Sequence, residues 1–234
     1  MLHEHLFPDS AALLPVLLNF CVEALRTDLA DAKEVSCLLS GGNTPRKLYE
    51  QLAAADLPWH RIAPALVDER RVAVSHPASN EGLLRTIFTH NATFLERLQG
   101  MASSSPAADA AQTECEARYK ALPLPWSFGL LGMGSDGHTA SLFPGAKGLL
   151  QGLTGSHLCQ AITALPTGVT GALTERLTLT LAGLCRARRL VLFFTGEEKW
   201  QVYQNALHCH DTVALPVAAV LQQSDTPVHV FYHP

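Results

Sequence analysis

The sequence predicts an α/β fold built on a mostly parallel sheet with helices on both faces. Three observations carry that reading. Short apolar or β-branched runs alternate with longer helix-spaced stretches at the spacing of βαβ units. The runs are mostly apolar throughout, as strands buried on both faces are. The composition supplies a core, with 47% apolar and only 16% charged residues in 234, against roughly 25% charged in ordinary soluble domains.

Each element has its own justification. Residues 10–30 read as an opening helix, with Asp9 or Ser10 as its N-cap. Residues 34–39 (EVSCLL) read as a buried strand that ends at Ser40-Gly41-Gly42-Asn43-Thr44-Pro45. A helix follows with Pro45 in its first turn, where a missing N–H costs nothing. Residues 62–67 (IAPALV) form the next strand, ending at Asp68-Glu69-Arg70-Arg71. Asn80 is placed to cap a helix over 81–90, and 109–121 is a further helix. Residues 127–132 (SFGLLG) are a third strand that also ends in glycine. A glycine-punctuated stretch runs from Gly145 to Gly171, with one strand at 158–164. Residues 188–194 (RRLVLFF) are a strand, 197–208 a helix opening on two acids, and Pro216 starts a short helix before the strand 228–232 (VHVFY) closes the sheet. No stretch resembles an interdomain linker, so the reading is a single domain over residues 1–234.

Charge and cysteine usage exclude several function classes. A net charge of −4 argues against general affinity for nucleic acid or acidic membranes. The six cysteines are scattered without a CxxC pair, and His208-Cys209-His210 lacks a second ligand pair at finger-like spacing. Met1 to Pro8 carries His and Glu instead of a basic segment before an apolar run, unlike a signal peptide. The longest apolar stretch, Ala11 to Leu25, is interrupted by Pro15, Asn19 and Glu23, which argues against a transmembrane helix. Reduced thiols without an export signal point to the cytoplasm. Asn91-Ala92-Thr93 matches a glycosylation acceptor by chance. The partner expected is a small molecule, with no nucleic acid and no membrane, for a monomer or small homo-oligomer.

In open α/β sheets, sites form beyond the carboxyl ends of strands. Three strand ends here are unusually polar. Ser40 to Pro45 reads either as a tight turn with a Ser/Thr cap or as an anion cradle. In the second case Gly41 and Gly42 turn backbone N–H groups toward one anion, and Ser40 and Thr44 add hydroxyls. It is no P-loop, since no GK[ST] follows, and it suits a phosphate monoester better than a nucleotide. Asp68 to Arg71 reads as a solvated loop or as an arginine fork for an oxyanion, held in place by the neighbouring acids. Gly132 to Gly137 matches GxGxxG, but no acid lies between Gly137 and Glu175 to hold a ribose, which counts against a dinucleotide.

Asp136-x-His138 on that glycine turn carries chemistry of another kind. Histidine is the side chain best suited to take and return a proton at neutral pH, and a carboxylate two positions away orients its ring. A lone histidine is more often structural; the loop, the strand end and the nearby Asp reverse those odds. Arg176, Arg188, Arg189 and Lys199 are the remaining basic candidates, with Lys199 at a fourth strand end. The stretch 145–171 reads as a mobile flap over the site.

Together SGGNTPRKLYEQL, LVDERRV, SNEGLLR, FGLLGMGSDGHTASLFPG, ERLTLTL and FFTGEEKWQVYQNAL resemble the 6-phosphogluconolactonase family, in that family's order, from about residue 36 to 220. The GGNTP and DER segments are shared in part with the related glucosamine-6-phosphate deaminases. The deaminase counterpart DGHIAFNEP has a glutamate where Phe143 stands, and a tyrosine where Arg70 stands; both differences favour the lactonases. The resemblance implies a Rossmann-like fold of the deaminase/lactonase kind and hydrolysis of 6-phospho-D-glucono-1,5-lactone without metal or organic cofactor. It implies His138 as general base, Asp136 as its orienting carboxylate, and Arg70 as a catalytic and phosphate-binding cation. Ser40, Gly41, Gly42 and Thr44 would hold the phosphate with Arg176 or Lys199, and N–H groups of the 132–137 turn would meet the oxyanion. Arg70 is preferred over Arg71 for its place in the Asp-Glu-Arg motif. The alternatives are a deaminase- or isomerase-like enzyme and a non-catalytic sugar-phosphate-binding module.

Overall fold

The computed structural model describes residues 1–234. The chain opens with β1 (Leu2–Leu6), an edge strand absent from the reading above. Helix α1 (Ser10–Asp31) follows, its N-terminus satisfied by the Asp9 carboxylate, which accepts from the Ala12 N–H. By length and apolar content α1 is long enough to cross a bilayer. Instead it runs through Pro15 and lays Leu13, Leu17 and Leu25 fully buried in the core. The expected strand and helix appear as β2 (Val35–Leu39) and α2 (Arg46–Ala53), with Pro45 at the N-cap.

Strand β3 (Ile62–Leu66) leads straight into β4 (Asp68–Arg70), so the four charges are not a solvated loop. Val67 is the pivot between two sheets: its N–H donates to Leu39 O, and its carbonyl accepts from Leu179 N–H. Helix α3 (Asn80–Ile87) is capped by Ser79, one residue before the expected Asn80. Asn91 caps the short α4 (Ala92–Arg97), which is the local role of the sequon-like triplet. Helix α5 (Ala108–Lys120) matches its expected range closely.

The second half runs β5 (Gly129–Leu131), α6 (Leu149–Thr154), β6 (Cys159–Thr163), β7 (Glu175–Leu179) and α7 (Leu181–Leu184). It continues with β8 (Leu190–Thr195), α8 (Glu197–His208), α9 (Val217–Gln222) and β9 (Val228–His233). The main sheet has six parallel strands in the order β1-β9-β8-β5-β2-β3. A second sheet, antiparallel and unforeseen, has the order β4-β7-β6. Side chains of α5 close its outer edge: Glu116 accepts from Cys159 N–H and Gln112 from Ala161 N–H. One 55-residue apolar cluster draws on both sheets.

This topology places a crevice. From β2 the chain moves to β3 on one side, and from β5 it moves to β8 on the other, so the strand order reverses between β2 and β5. The three glycine-bearing strand ends, after β2, β5 and β8, lie on adjacent strands and meet there.

The far edge carries a different feature. His3 and His5 of β1 stack against His229 of β9 at centroid distances of 4.6 and 5.5 Å, and His5 Nε2 lies 3.2 Å from His229 Nδ1. Phe20 of α1 and Phe231 pack against the group. Burial first, then His3, His5 and Arg189, pushes His229 down to about 4 from its usual 6.5. Below pH 6.5 the unfolded chain therefore takes a proton that the folded chain refuses. Stability is full above that pH and falls as pH drops toward 4, by about 1–2 kcal/mol once partial solvent screening is allowed for. Thermal melts from pH 7 to 4 should show this slope, flattened in His229→Phe; an equal slope in both proteins would remove His229 from it.

Candidate active site

A cleft of about 370 Å³ lies over the carboxyl ends of β2, β5 and β8. Its walls include Ser40, Gly41, Gly42, Thr44, Arg70, His138 and Lys199, all expected from sequence. A larger open groove of about 610 Å³ at Arg71–Ala73, Ala102–Ser105 and Glu175 has none of the histidine or glycine-turn residues.

The β2 end is a tight glycine turn. Gly42 has φ +89°, in the left-handed region that favours glycine. A Cβ on Gly41 would lie 1.9 Å from Asn80 Oδ1, so only glycine fits against that side chain. The N–H groups of Gly41, Gly42, Asn43 and Thr44 donate no hydrogen bond within the protein. Tyr49, fully buried, anchors the start of the turn by donating from its hydroxyl to Ser40 O at 2.7 Å.

The β5 end holds a contacting Asp–His pair. His138 Nδ1 lies 2.5 Å from Asp136 Oδ1, and the His138 N–H donates to the same oxygen at 3.2 Å. The turn beneath is knit by Gly134 N–H to His138 O and Gly137 N–H to Gly134 O, with Gly137 at φ +77°. A Cβ on Gly134 would fall 2.1 Å from His138 Nδ1, so the pair closes only over glycine. Burial pushes the Asp136 carboxyl up, but the hydrogen bonds and charge of His138 outweigh it and hold Asp136 below the usual carboxylate range. With Nδ1 committed to Asp136, Nε2 is the nitrogen left for chemistry. Of the turn's N–H groups, Gly134 and Gly137 are used internally, while Gly132, Met133, Ser135 and Asp136 donate to no other residue of the protein.

The cations divide. Arg70 lines the cleft and donates from Nη1 to Ala78 O at 2.5 Å. Arg71 faces away, bonded to Ser105 O, Pro106 O and Glu175. The neighbouring acids do not grip the Arg70 guanidinium as expected; Glu69 accepts from the Arg70 backbone N–H instead. Arg176, the cross-strand partner of Arg70, is 4% exposed and off the cleft wall, with Nη2 donating to Thr170 O. Burial and then the Arg70 charge hold its guanidinium below its usual range. Lys199 reaches the cleft; burial holds its ammonium below the usual lysine range, with Glu198 and Asp136 pulling the other way.

Asp68 and Asn80 were not anticipated. Asp68, 8% exposed, accepts from Ser141 Oγ at 2.6 Å and from Asn80 Nδ2 at 3.3 Å, and both Asp68 and Asn80 line the cleft. Strand alternation would have found Asp68 on the Arg70 face, had 68–70 been read as a strand. The stretch 145–171 carries α6 and β6, and only Val169 of it reaches the cleft wall.

Comparison with known proteins gives this site a context. The family described as glucosamine-6-phosphate isomerases/6-phosphogluconolactonase matches residues 8–229. A 6-phosphogluconolactonase of Mesorhizobium japonicum is 33% identical over 228 residues, 97% of this chain and 94% of that protein. One of Pseudomonas aeruginosa is 34% identical over 212 residues, 90% of this chain and 86% of that protein. The crystal structure of a 6-phosphogluconolactonase from Shewanella baltica superposes with a TM-score of 0.92 at 32% identity, covering 100% of this chain and 98% of that one.

Proposed function

The chain belongs to the glucosamine-6-phosphate isomerase/6-phosphogluconolactonase family, on its lactonase side, and we propose that it opens 6-phospho-D-glucono-1,5-lactone with His138 as the general base. The observation that carries this mechanism is one cleft lined by both the Asp136-supported imidazole and the free N–H groups of the β2 turn.

The substrate phosphate rests on the Gly41 to Thr44 N–H groups and the Ser40 and Thr44 hydroxyls, with Arg70 and Lys199 supplying charge. Arg176 adds positive potential from behind Arg70 without touching substrate. Anchored by its phosphate, the ring presents C1 to a water held by His138 Nε2. His138 takes the proton as water attacks, and Asp136 stabilises the resulting imidazolium. Free N–H groups of the 132–137 turn meet the carbonyl oxygen as it becomes an oxyanion. Collapse of the tetrahedral intermediate breaks the C1–O5 bond, and His138 returns the proton to O5. A sugar-phosphate substrate and six unpaired thiols support work in the cytoplasm.

The test is release of 6-phosphogluconate from the lactone by the purified protein, above the spontaneous rate, with no ammonia from glucosamine 6-phosphate. Lys199→Met should raise KM for the lactone by about 10- to 100-fold, the worth of a lost charge-assisted hydrogen bond, with kcat little changed. Ammonia release would make the protein a deaminase; 6-phosphogluconate binding without acceleration would make it a binding module.

A further inference from the structure

Apart from the main core, the chain folds a second apolar cluster of eight residues, seven of them from Leu142 to Ala164. One member, Phe143, leaves that cluster to touch the site. Its ring, 5% exposed, packs tilted against the His138 imidazole, with centroids 4.2 Å apart and planes inclined by 30°. No other aromatic ring meets His138. The chain reverses sharply to make this contact: Ala140 sits at φ +50°, and Leu142 N–H donates back to Thr139 O. The reversal is held from outside by Ser141, whose N–H donates to Thr178 Oγ1 and whose hydroxyl donates to Asp68. The Arg176 guanidinium packs on the same Phe143 ring, its Cζ 5.6 Å from the centroid.

We infer that Phe143 is a positioning residue for His138; the inference rests on the general-base reading above. Asp136 fixes the imidazole at Nδ1 within the ring plane. A single in-plane partner leaves the ring free to rock about the Nδ1···Oδ1 line, which swings Nε2 away from the attacking water. An aromatic ring packed 4.2 Å from the imidazole restricts that motion. The two constraints together set the direction of Nε2, and misplacement by about 1 Å in such a site costs up to 10²-fold in rate.

Phe143→Leu and Phe143→Met keep apolar volume but lose the aromatic ring. Both are expected to lower kcat about 10-fold or more and to leave KM within about 2-fold. In NMR spectra, ring-current-shifted imidazole C–H signals of His138 should return to ordinary positions in either variant. Leu149→Ala, in the same cluster but off the cleft wall, should lower the melting temperature yet keep wild-type kcat. Wild-type kcat in both Phe143 variants, beside an inactive His138→Ala, would overturn this inference alone. An equal kcat loss in Leu149→Ala would also overturn it, by tying the effect to cluster stability. Full turnover by His138→Ala is the separate result that overturns the reading beneath it.

Discussion

His138→Ala is expected to lose at least about 10²-fold in kcat for the lactone while still binding 6-phosphogluconate. The size follows from the role. A positioned base contributes about 10²–10⁴-fold, and nothing else in the cleft replaces it. Asp136 is off the cleft wall and keeps the backbone N–H of residue 138, Asp68 is occupied by Ser141 and Asn80, and Lys199 is a cation beside Asp136. The retained binding follows because the Gly41 to Thr44 cradle, Arg70 and Lys199 do not depend on the imidazole. An assay coupled to 6-phosphogluconate release, corrected for spontaneous opening of the lactone, measures the first; calorimetric titration with 6-phosphogluconate measures the second. Turnover within about 3-fold of wild type would remove His138 from the mechanism, since so small a loss is under 1 kcal/mol.

The parts of this site legible in the sequence are those set by local chemistry. A glycine pair before a helix, a strand that ends in Gly-x-Gly, and an acid two residues before a histidine announce themselves within a few positions. Their convergence was also foreseeable, because strand ends of a parallel sheet share one crevice. The parts that escaped are set by partners far along the chain. β1 reads Leu-His-Glu-His-Leu, too polar for a buried run, and is a strand because β9 lies beside it. β4 is three charged residues that become a strand only against β7. Without that pairing, neither the position of Asp68 on the cleft wall nor the burial of Arg176 opposite Arg70 follows from the residues alone. Phe143 belongs only in part to this class: the resemblance set it where the deaminases have a glutamate, but the packing of its ring on His138 depends on the reversal at Ala140.

Glu69→Gln should be the most destabilising single-atom-class change in the site region, although Glu69 never touches the cleft. Its carboxylate is 1% exposed and accepts four hydrogen bonds: Arg70 N–H at 2.7 Å, Asn80 N–H and Glu81 N–H at 2.8 Å, and the Ser79 hydroxyl at 2.9 Å. It is thereby the joint between β4 and the first turn of α3, and it fixes both Ala78 O, which holds Arg70, and the Asn80 side chain. An amide keeps one acceptor and turns N–H groups against two of those donors. The stranded donors cost about 3 kcal/mol, or roughly a 6–12 °C drop in Tm for a chain of this size. KM for the lactone should rise with it, as Arg70 loses its seat. Burial pushes the Glu69 carboxyl above the usual carboxylate range while the four donors pull it down, and the substitution decides between them. A protonated Glu69 is nearly isosteric with glutamine, so a Tm within about 2 °C of wild type would mean that the joint is neutral. A large loss means that the four donors hold a buried anion, and that this anion fixes the start of α3, whose Asn80 side chain packs against Gly41 on the cleft wall.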